Sequence, residues 1–251
     1  MVTKLADMTT YEVAQIVARA RCVVLVPIGS TEPHGPHLPL GTDVLISEAV
    51  TERAAALLVQ QGVDVLIAPS VAYGVTDYAR GFVGAVGISA HVMTALLIDI
   101  TQRLLDDGFK HVCFVNNHLE PAHDEAVRAA AGHFAHGIVS VACPLSRRWA
   151  RTLSDEFKQG KCHAGRYETS LVQAAKGRVL PEATKLPPLD LSLSDAISAG
   201  KTTFLEIGMS EAYTGSPALA SEEEGQELLE RLAAMTVTEV LEGLAAREAR
   251  S

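Results

Sequence analysis

The fold is decided by the apolar run Cys22 to Ile28 (CVVLVPI) and by the loop that follows it, Gly29 to Asp43 (GSTEPHGPHLPLGTD). Seven nearly unbroken apolar residues are typical of a β-strand that is covered on both faces, as the strands of parallel sheets are. Similar runs predict strands at Val63 to Ala68, His111 to Val115 and Ile138 to Cys143. We therefore expect a parallel sheet of about four strands.

Longer stretches with helical periodicity separate these runs, and a glycine follows each of the three crossover helices as a stop signal. This alternation predicts an α/β fold, with helices on both faces of the sheet and one domain spanning residues 1–251. One helix is expected to begin at Thr10, where Thr9 and Glu12 have capping-box spacing. The others are predicted at Asp43 to Gln60, Ser89 to Asp106, Pro121 to His136 and Ser221 to Arg250.

Two segments in the C-terminal part lack a clear helical period. Leu180 to Leu191 contains three prolines and is predicted to be an extended connection. Ser192 to Ala220 carries Gly200, Gly208 and Gly215 and is predicted to be a loop.

The charge and composition restrict the partner of this protein. The chain has 21 Lys and Arg against 30 Asp and Glu, a formal net charge of −9, and no long basic run. This balance argues against nucleic acid or an anionic membrane and favours a small-molecule substrate. The N-terminus lacks a signal-peptide pattern and no apolar stretch is long enough to span a membrane, so a cytoplasmic protein is predicted. The four cysteines form no CxxC pair and are expected to be reduced core residues.

Chemistry is expected in the loops that follow the first and third strands, because ligands of open α/β sheets bind beyond the carboxyl ends of the strands. Imidazole mixed with carboxylate suits Zn, Mn or Fe better than Mg or Ca. Asp43 at a helix start could bridge two ions, which makes a two-metal site plausible. Taken singly, each residue also has an ordinary explanation, such as a helix-dipole carboxylate or a hydrogen-bonded loop histidine. The loops offer Glu32, His34, His37, Asp43, His118 and Glu120.

A third cluster spans His163 to Thr169 (HAGRYET). A histidine titrates in the range needed to exchange a proton near neutral pH, so His163 is a candidate acid/base residue. Glu168 could support it or be an ordinary first-turn carboxylate of a helix. Cys162 beside His163 suggests a thiol nucleophile, but neighbours in sequence rarely face each other, and we do not favour that interpretation.

Beyond these patterns, the sequence resembles the creatininase family. The family motif Gly-Ser-x-Glu-Gln-His-Gly-Pro-His-Leu-Pro-Leu-x-Thr-Asp is matched by Gly29 to Asp43, with Pro33 where Gln is usual. The His-x-Glu of creatininase itself is matched by His118 to Glu120. Weaker agreements occur at Tyr73-Gly74, Phe82 to Ile88, His163 to Ser170 and Gly215 to Gly225.

The resemblance implies a dinuclear centre, with Zn preferred and Mn or Fe as alternatives, and a hexameric homo-oligomer. In this centre Glu32 and His118 hold one ion, His34 and Glu120 hold the other, and Asp43 bridges them. A hydroxide shared by the ions would be the nucleophile. His163 would be the acid/base residue, with Glu168 as its support and Glu120 also close to the chemistry.

These implications predict a metal-dependent amidohydrolase acting on a small cyclic amide or another non-peptide C–N bond. Leu119 and Gln159 stand where creatininase has aromatic residues, and Trp149 is the only tryptophan, so we expect little hydrolysis of creatinine. The alternatives on the same site are a formamide deformylase, a peptide-trimming protease and a sugar ring-opening hydrolase. A catalytically silent metal-binding α/β protein is a further alternative, although it would not need His163.

Overall fold

The computed structural model describes residues 3–250. Its strands form one parallel sheet in the order β1-β3-β2-β4-β5. The α/β class is confirmed, and the four predicted strands are present with small shifts at their ends. The sheet has five strands, whereas about four were expected. The additional strand is a two-residue edge strand, which is too short to give a hydrophobic pattern. The strands are β1 (Thr3–Lys4), β2 (Cys22–Ile28), β3 (Asp64–Ile67), β4 (His111–Asn116) and β5 (Val139–Ala142).

Helices cover both faces of the sheet, as the near-continuous apolar strands predict. Alternate side chains of the central strand β2 enter different apolar clusters, because successive residues of a strand point to opposite faces. Val23 and Leu25 belong to one cluster, and Cys22, Val24 and Val26 belong to the other. The first cluster is completed by α2 (Thr42–Gln60), α7 (Arg166–Ala174) and α10 (Glu222–Glu248), and the second by α3 (Ala90–Asp106) and α4 (Pro121–Gly132).

The predicted helix signals act as expected at most ends. The helix α1 (Thr10–Val17) has a complete capping box between Thr9 and Glu12. Gly62, Gly108 and Gly137 have φ values of 74°, 107° and 85°, the left-handed region that glycine tolerates best. The helix α4 ends four residues before the predicted His136, and its last residue is Gly132, which has low helix propensity.

Two expectations about the C-terminal part are wrong. Residues 192–220 contain helices as well as loop, because Ser192 and Thr203 each cap a short helix by accepting from a backbone N–H three residues later. These are α8 (Leu193–Ser198) and α9 (Phe204–Ile207), and a 3₁₀ turn follows at Pro217–Leu219. The extended connection likewise includes a 3₁₀ turn at Pro181–Lys185, which has proline at its first position. The remaining short helices are α5 (Arg147–Ala150) and α6 (Asp155–Lys158).

The sheet brings the two predicted loops together. Ile28 at the end of β2 pairs with Asn116 at the end of β4, so Gly29 to Asp43 and Asn117 to Glu120 start side by side. All four cysteines are buried and free, as predicted. Within residues 3–250 no helix is long and apolar enough to cross a membrane.

Candidate metal centre

Close packing between the first loop and α2 places the Asp43 carboxylate inside the protein. A Cβ atom on Gly29 would lie 2.5 Å from Val44 N and 2.8 Å from the carbonyl carbon of Asp43, so only glycine allows the end of β2 to approach the helix. Asp43 lies in the first turn of α2 and is 1% exposed. The predicted inward direction of this carboxylate is thus a consequence of a glycine contact.

His34 and His118 each turn one ring nitrogen toward Asp43. His34 Nδ1 lies 3.0 Å from the carbonyl oxygen of Glu32 and can only donate there, which leaves Nε2 facing Asp43 Oδ1 at 3.1 Å. His118 Nε2 lies 2.6 Å from the carbonyl oxygen of Val75, so its Nδ1 faces Asp43 Oδ2 at 2.9 Å. Backbone carbonyls therefore select the tautomer of both rings.

The three glutamates are held by donors on their outer sides. Thr76 Oγ1 donates to Glu32 Oε2. The backbone N–H groups of Asp77 and Tyr78 donate to Glu120 at 3.0 and 3.2 Å. The N–H of Ala164 donates to Glu168 Oε2 at 2.6 Å. One oxygen of Glu32 and one of Glu168 are fixed in this way, whereas both oxygens of Glu120 accept a backbone N–H.

Val75 to Tyr78 is the part of the site that sequence patterns did not reveal. This segment supplies a carbonyl to His118, a hydroxyl to Glu32 and two N–H groups to Glu120. Most of these contacts come from the backbone, which leaves no trace in residue type. The weak family agreement at Tyr73-Gly74 was the one available signal.

The structure brings the predicted ligands together, but His34 and Glu120, which the family resemblance assigns to one ion, fall into different groups. Glu32, His118 and Glu120 offer ligand atoms that lie within 4.8 Å of one another. His34 and Asp43 form a second such group with Glu168, and His34 forms a third with Glu32 and His163. In the described residues, His34 is grouped with Glu168 and not with Glu120. His37 instead contacts Thr169 Oγ1, at 2.9 Å.

The burial of four carboxylates gives the site unusual electrostatics. Burial raises the pKa of Glu120 to about 7 and that of Glu168 to about 8. Burial also acts to lower the pKa of His34 and His118, but Asp43 and the glutamates outweigh it and raise both pKa values to about 10. Without a cation, the cluster could remain buried only by holding several protons.

This donor set fits divalent cations. Glu32, Asp43, Glu120 and Glu168 are each at most 6% exposed, and together they carry four negative charges when ionised. Asp43 Oδ2 is buried without a hydrogen-bond partner, although His118 Nδ1 is only 2.9 Å away. Two donor atoms this close together can bind one cation. Mixed carboxylate and imidazole ligands match the preferences of Zn and Mn.

His163 lies beside this cluster. Its Nε2 donates to the carbonyl oxygen of Pro33 at 3.0 Å, which leaves Nδ1 facing Glu32 Oε1 at 3.8 Å. Burial, followed by the charge of His34, lowers its pKa well below the usual value and favours the neutral ring. The Phe204 ring lies against it, with 4.4 Å between the centroids. His163 therefore has one free basic nitrogen aimed at the cluster.

A cavity of about 420 Å³ opens from the cluster. Its volume is in the range typical of small-molecule sites. Leu119 lines it as expected, whereas Gln159 and Trp149 are not among its lining residues, and the Trp149 indole instead donates to Glu239. Sequence position alone suggested a pocket poor in aromatic residues, but the structure brings in aromatic rings from distant segments, namely Tyr78, Phe157 and Phe204.

Comparison with known proteins agrees with this geometry. The creatininase family model, described as creatinine amidohydrolase, matches residues 6–240. A mycofactocin precursor peptide peptidase of Mycolicibacterium smegmatis is 32% identical over 214 residues, covering 82% of this chain and 79% of that protein. A creatinine amidohydrolase of Pseudomonas putida is 28% identical over 119 residues, covering 45% of this chain and 44% of that protein.

Solved creatininase structures share the fold. A manganese form superposes with a TM-score of 0.72 at 22% identity, covering 97% of this chain and 99% of that one. A zinc–zinc form of a creatininase variant gives 0.73 at 21% identity, with the same coverage. The family match over nearly the whole chain, together with the buried carboxylate and imidazole cluster, leads to one conclusion: this chain belongs to the creatininase family of metal-dependent hydrolases.

Proposed function

We propose that this protein hydrolyses an amide C–N bond at a centre of two divalent ions. The observation that carries the proposal is the pair of ligand groups on either side of Asp43. Asp43 Oδ2 faces His118, whose group contains Glu32 and Glu120, and Asp43 Oδ1 faces His34, whose group contains Glu168. Each Asp43 oxygen therefore faces a different histidine, as a bridging ligand requires. Two divalent ions would also balance the four buried carboxylates.

This assignment changes the ligand set implied by the family resemblance. Glu32, His118 and Glu120 would hold the first ion, and His34 and Glu168 would hold the second. Glu168, first considered a support for His163, thereby becomes a ligand of the ion held by His34. A pair of such ions, when bound, polarises an amide carbonyl and lowers the pKa of water toward neutrality.

The protein's own residues supply the proton transfer. His163 Nδ1 is the free basic nitrogen at the cluster, because Nε2 is engaged by Pro33. It would take a proton from the attacking water and deliver it to the departing nitrogen. Phe204 covers one face of the His163 ring and helps to keep bulk water away.

Peptide trimming is a second candidate, favoured by specific observations over a small cyclic amide such as creatinine. The cavity is largely apolar, and it extends from the carboxylate and imidazole cluster to residues of α8. The mycofactocin precursor peptidase also matches a larger share of this chain than the creatinine amidohydrolase does. An amide with a substantial substituent suits this cavity better than a small ring.

Two variants test the proposal in one experiment. Asp43→Ala should lose metal from both positions, whereas His163→Asn should keep about two ions per chain and lose turnover on the order of 10²–10⁴-fold. Elemental analysis and turnover of cyclic amides, formamides and short peptides, measured on the same batches, give both readouts. Full metal loading of Asp43→Ala would contradict the bridge, and unchanged turnover in His163→Asn would contradict the acid/base role.

A further inference from the structure

Part of the cavity wall is formed by short helices that lie outside the βα units of the sheet. Leu145 precedes α5, Phe157 lies in α6, Leu193 and Ile197 lie in α8, and Phe204 begins α9. These side chains come from or next to four short helices, and all of them line the same cavity as Glu32, Asp43 and His118. The site therefore combines an ionisable end and an apolar wall.

Two of these side chains have no role in the protein core. Leu145 is 38% exposed, and Ile197 is half-buried. Neither belongs to the apolar clusters formed by the residues that the structure describes, or packs against them. Isolated exposed apolar side chains are common on proteins. Leu145 and Ile197, however, line the same cavity beside a buried ionic cluster, so together they form a surface for contact with a ligand.

Charged groups are scarce on this wall. Among residues 3–250, Lys158 is the single Lys or Arg that lines the cavity, and its Nζ is paired with Asp155 Oδ1 at 3.0 Å. Ser194 and Ser198 also line the cavity, but their hydroxyls already contact Ser192 Oγ and the Ser194 carbonyl oxygen. On this wall a charged substituent would thus meet only a lysine that is already paired, whereas an apolar substituent would remove both its own surface and that of the wall from water.

We propose that Leu145, Ile197 and their neighbours Leu193, Phe157 and Phe204 form a specificity pocket for an aliphatic or aromatic group next to the hydrolysed C–N bond. This proposal rests on the proposed function, since it names the substrate class of the same site. Leu145 and Ile197 are the specificity-determining residues, because the other three also support the local packing.

Hydroxamates test this pocket without knowledge of the natural substrate, because the hydroxamate group chelates metal ions and its tail can be varied. Calorimetry on the metal-loaded protein should show that hexanohydroxamate binds on the order of 10–100-fold more tightly than acetohydroxamate, owing to burial of the additional methylenes. The double variant Leu145→Ser, Ile197→Ser should lose this difference while its affinity for acetohydroxamate stays unchanged. Leu96→Ser is the matched control, since Leu96 is also 38% exposed but lies outside the cavity.

The outcomes separate this inference from the proposed function. Equal affinities of the two hydroxamates in the unmodified protein would overturn the pocket, even if metal binding and hydrolysis are found. Retention of the tail preference in the double variant would also overturn it. If the protein bound no metal, the metal-free chain should still bind hexanohydroxamate more tightly than acetohydroxamate. The specificity pocket would then stand, while the two-ion centre would be contradicted.

Discussion

Histidines serve two purposes along β4. His118, just after the carboxyl end of the strand, turns a free nitrogen toward Asp43. His111, the first residue of the strand, is fully buried at the opposite end of the sheet. Its two ring nitrogens lie 3.1 Å from the carbonyl oxygen of Gly137 and 2.9 Å from Ser140 Oγ. His111 is therefore a structural residue, although its residue type and burial match those of the site.

The pH dependence of stability should reveal His111. Burial lowers its pKa from 6.5 to about 4. As the pH falls from 6.5 to 4, the unfolded chain binds a proton that the folded chain does not, so the free energy of unfolding decreases and then levels off. A shift of this size corresponds to about 3 kcal/mol. In His111→Gln this contribution should be absent, and the difference in stability between the two proteins should change with pH.

Urea unfolding of the metal-free proteins at pH 7, 5.5 and 4 measures this difference. His136 is exposed, so His136→Gln serves as a control for loss of an imidazole at the surface. A stability difference between wild type and His111→Gln that stays constant over this pH range would show that His111 is not held neutral by burial.

At the scale of elements, the contact between α7 and α10 positions the start of α7. Gly225 in the first turns of α10 lies so close to α7 that a Cβ atom would be 1.9 Å from the carbonyl oxygen of Ser170. Arg166 and Ser170 both donate to Glu224, next to Gly225. This close contact sets where α7 lies, and α7 carries Glu168 in its first turn.

Gly225→Ala should therefore destabilise the protein, although alanine is the better helix former. Overpacking against a backbone carbonyl costs about 1–3 kcal/mol, which exceeds the gain of about 1 kcal/mol in helix propensity. Gly132→Ala is a matched control, since Gly132 is the last residue of α4 and a Cβ atom there would meet nothing within 4 Å. Denaturant unfolding should show the two variants changing stability in opposite directions. A stabilised Gly225→Ala would mean that the two helices are not held this closely.

At the scale of the whole molecule, the candidate centre joins parts of the chain that are far apart in sequence. It draws ligands from the loops after β2 and β4 and from α7, and its supporting contacts from Val75 to Tyr78. Ions bound here would tie these segments together in the folded state only. Their binding energy is then part of the stability of the protein.

Removal of metal should accordingly lower the thermal midpoint. At a metal concentration about 1,000 times the dissociation constant, binding to the folded state contributes about 4 kcal/mol. Differential scanning calorimetry with a chelator, and then with increasing Zn or Mn, should show a midpoint that rises with free metal. Asp43→Ala should show little of this rise. A midpoint that is independent of metal in the unmodified protein would argue against binding at these residues.

The single domain, the cytoplasmic location and the homo-oligomer remain predictions at this scale. The hexamer follows from the family resemblance and not from a contact in this structure. The cavity lies within one chain, so the proposed specificity pocket does not depend on the assembly.

Local patterns determined much of this protein. The apolar run Cys22 to Ile28 forms the strand with the predicted limits, because full burial on both faces requires unbroken apolar residues. Capping groups and glycines mark the helix ends through short-range hydrogen bonds and backbone conformation. The position of Glu32, His34 and Asp43 after β2 also followed from sequence, since parallel strands deliver their loops to one edge.

The tertiary structure alone decided which candidate ligands lie together. Glu168 joins His34 because α7, positioned by α10, brings its first turn over the loop after β2. The ring nitrogens of His34 and His118 are selected by backbone carbonyls, and a carbonyl carries no residue-type signal. The apolar wall likewise depends on α8 and α9, which were predicted to be loop. Such contacts depend on packing between distant segments, whereas strand and cap signals act between neighbours in sequence.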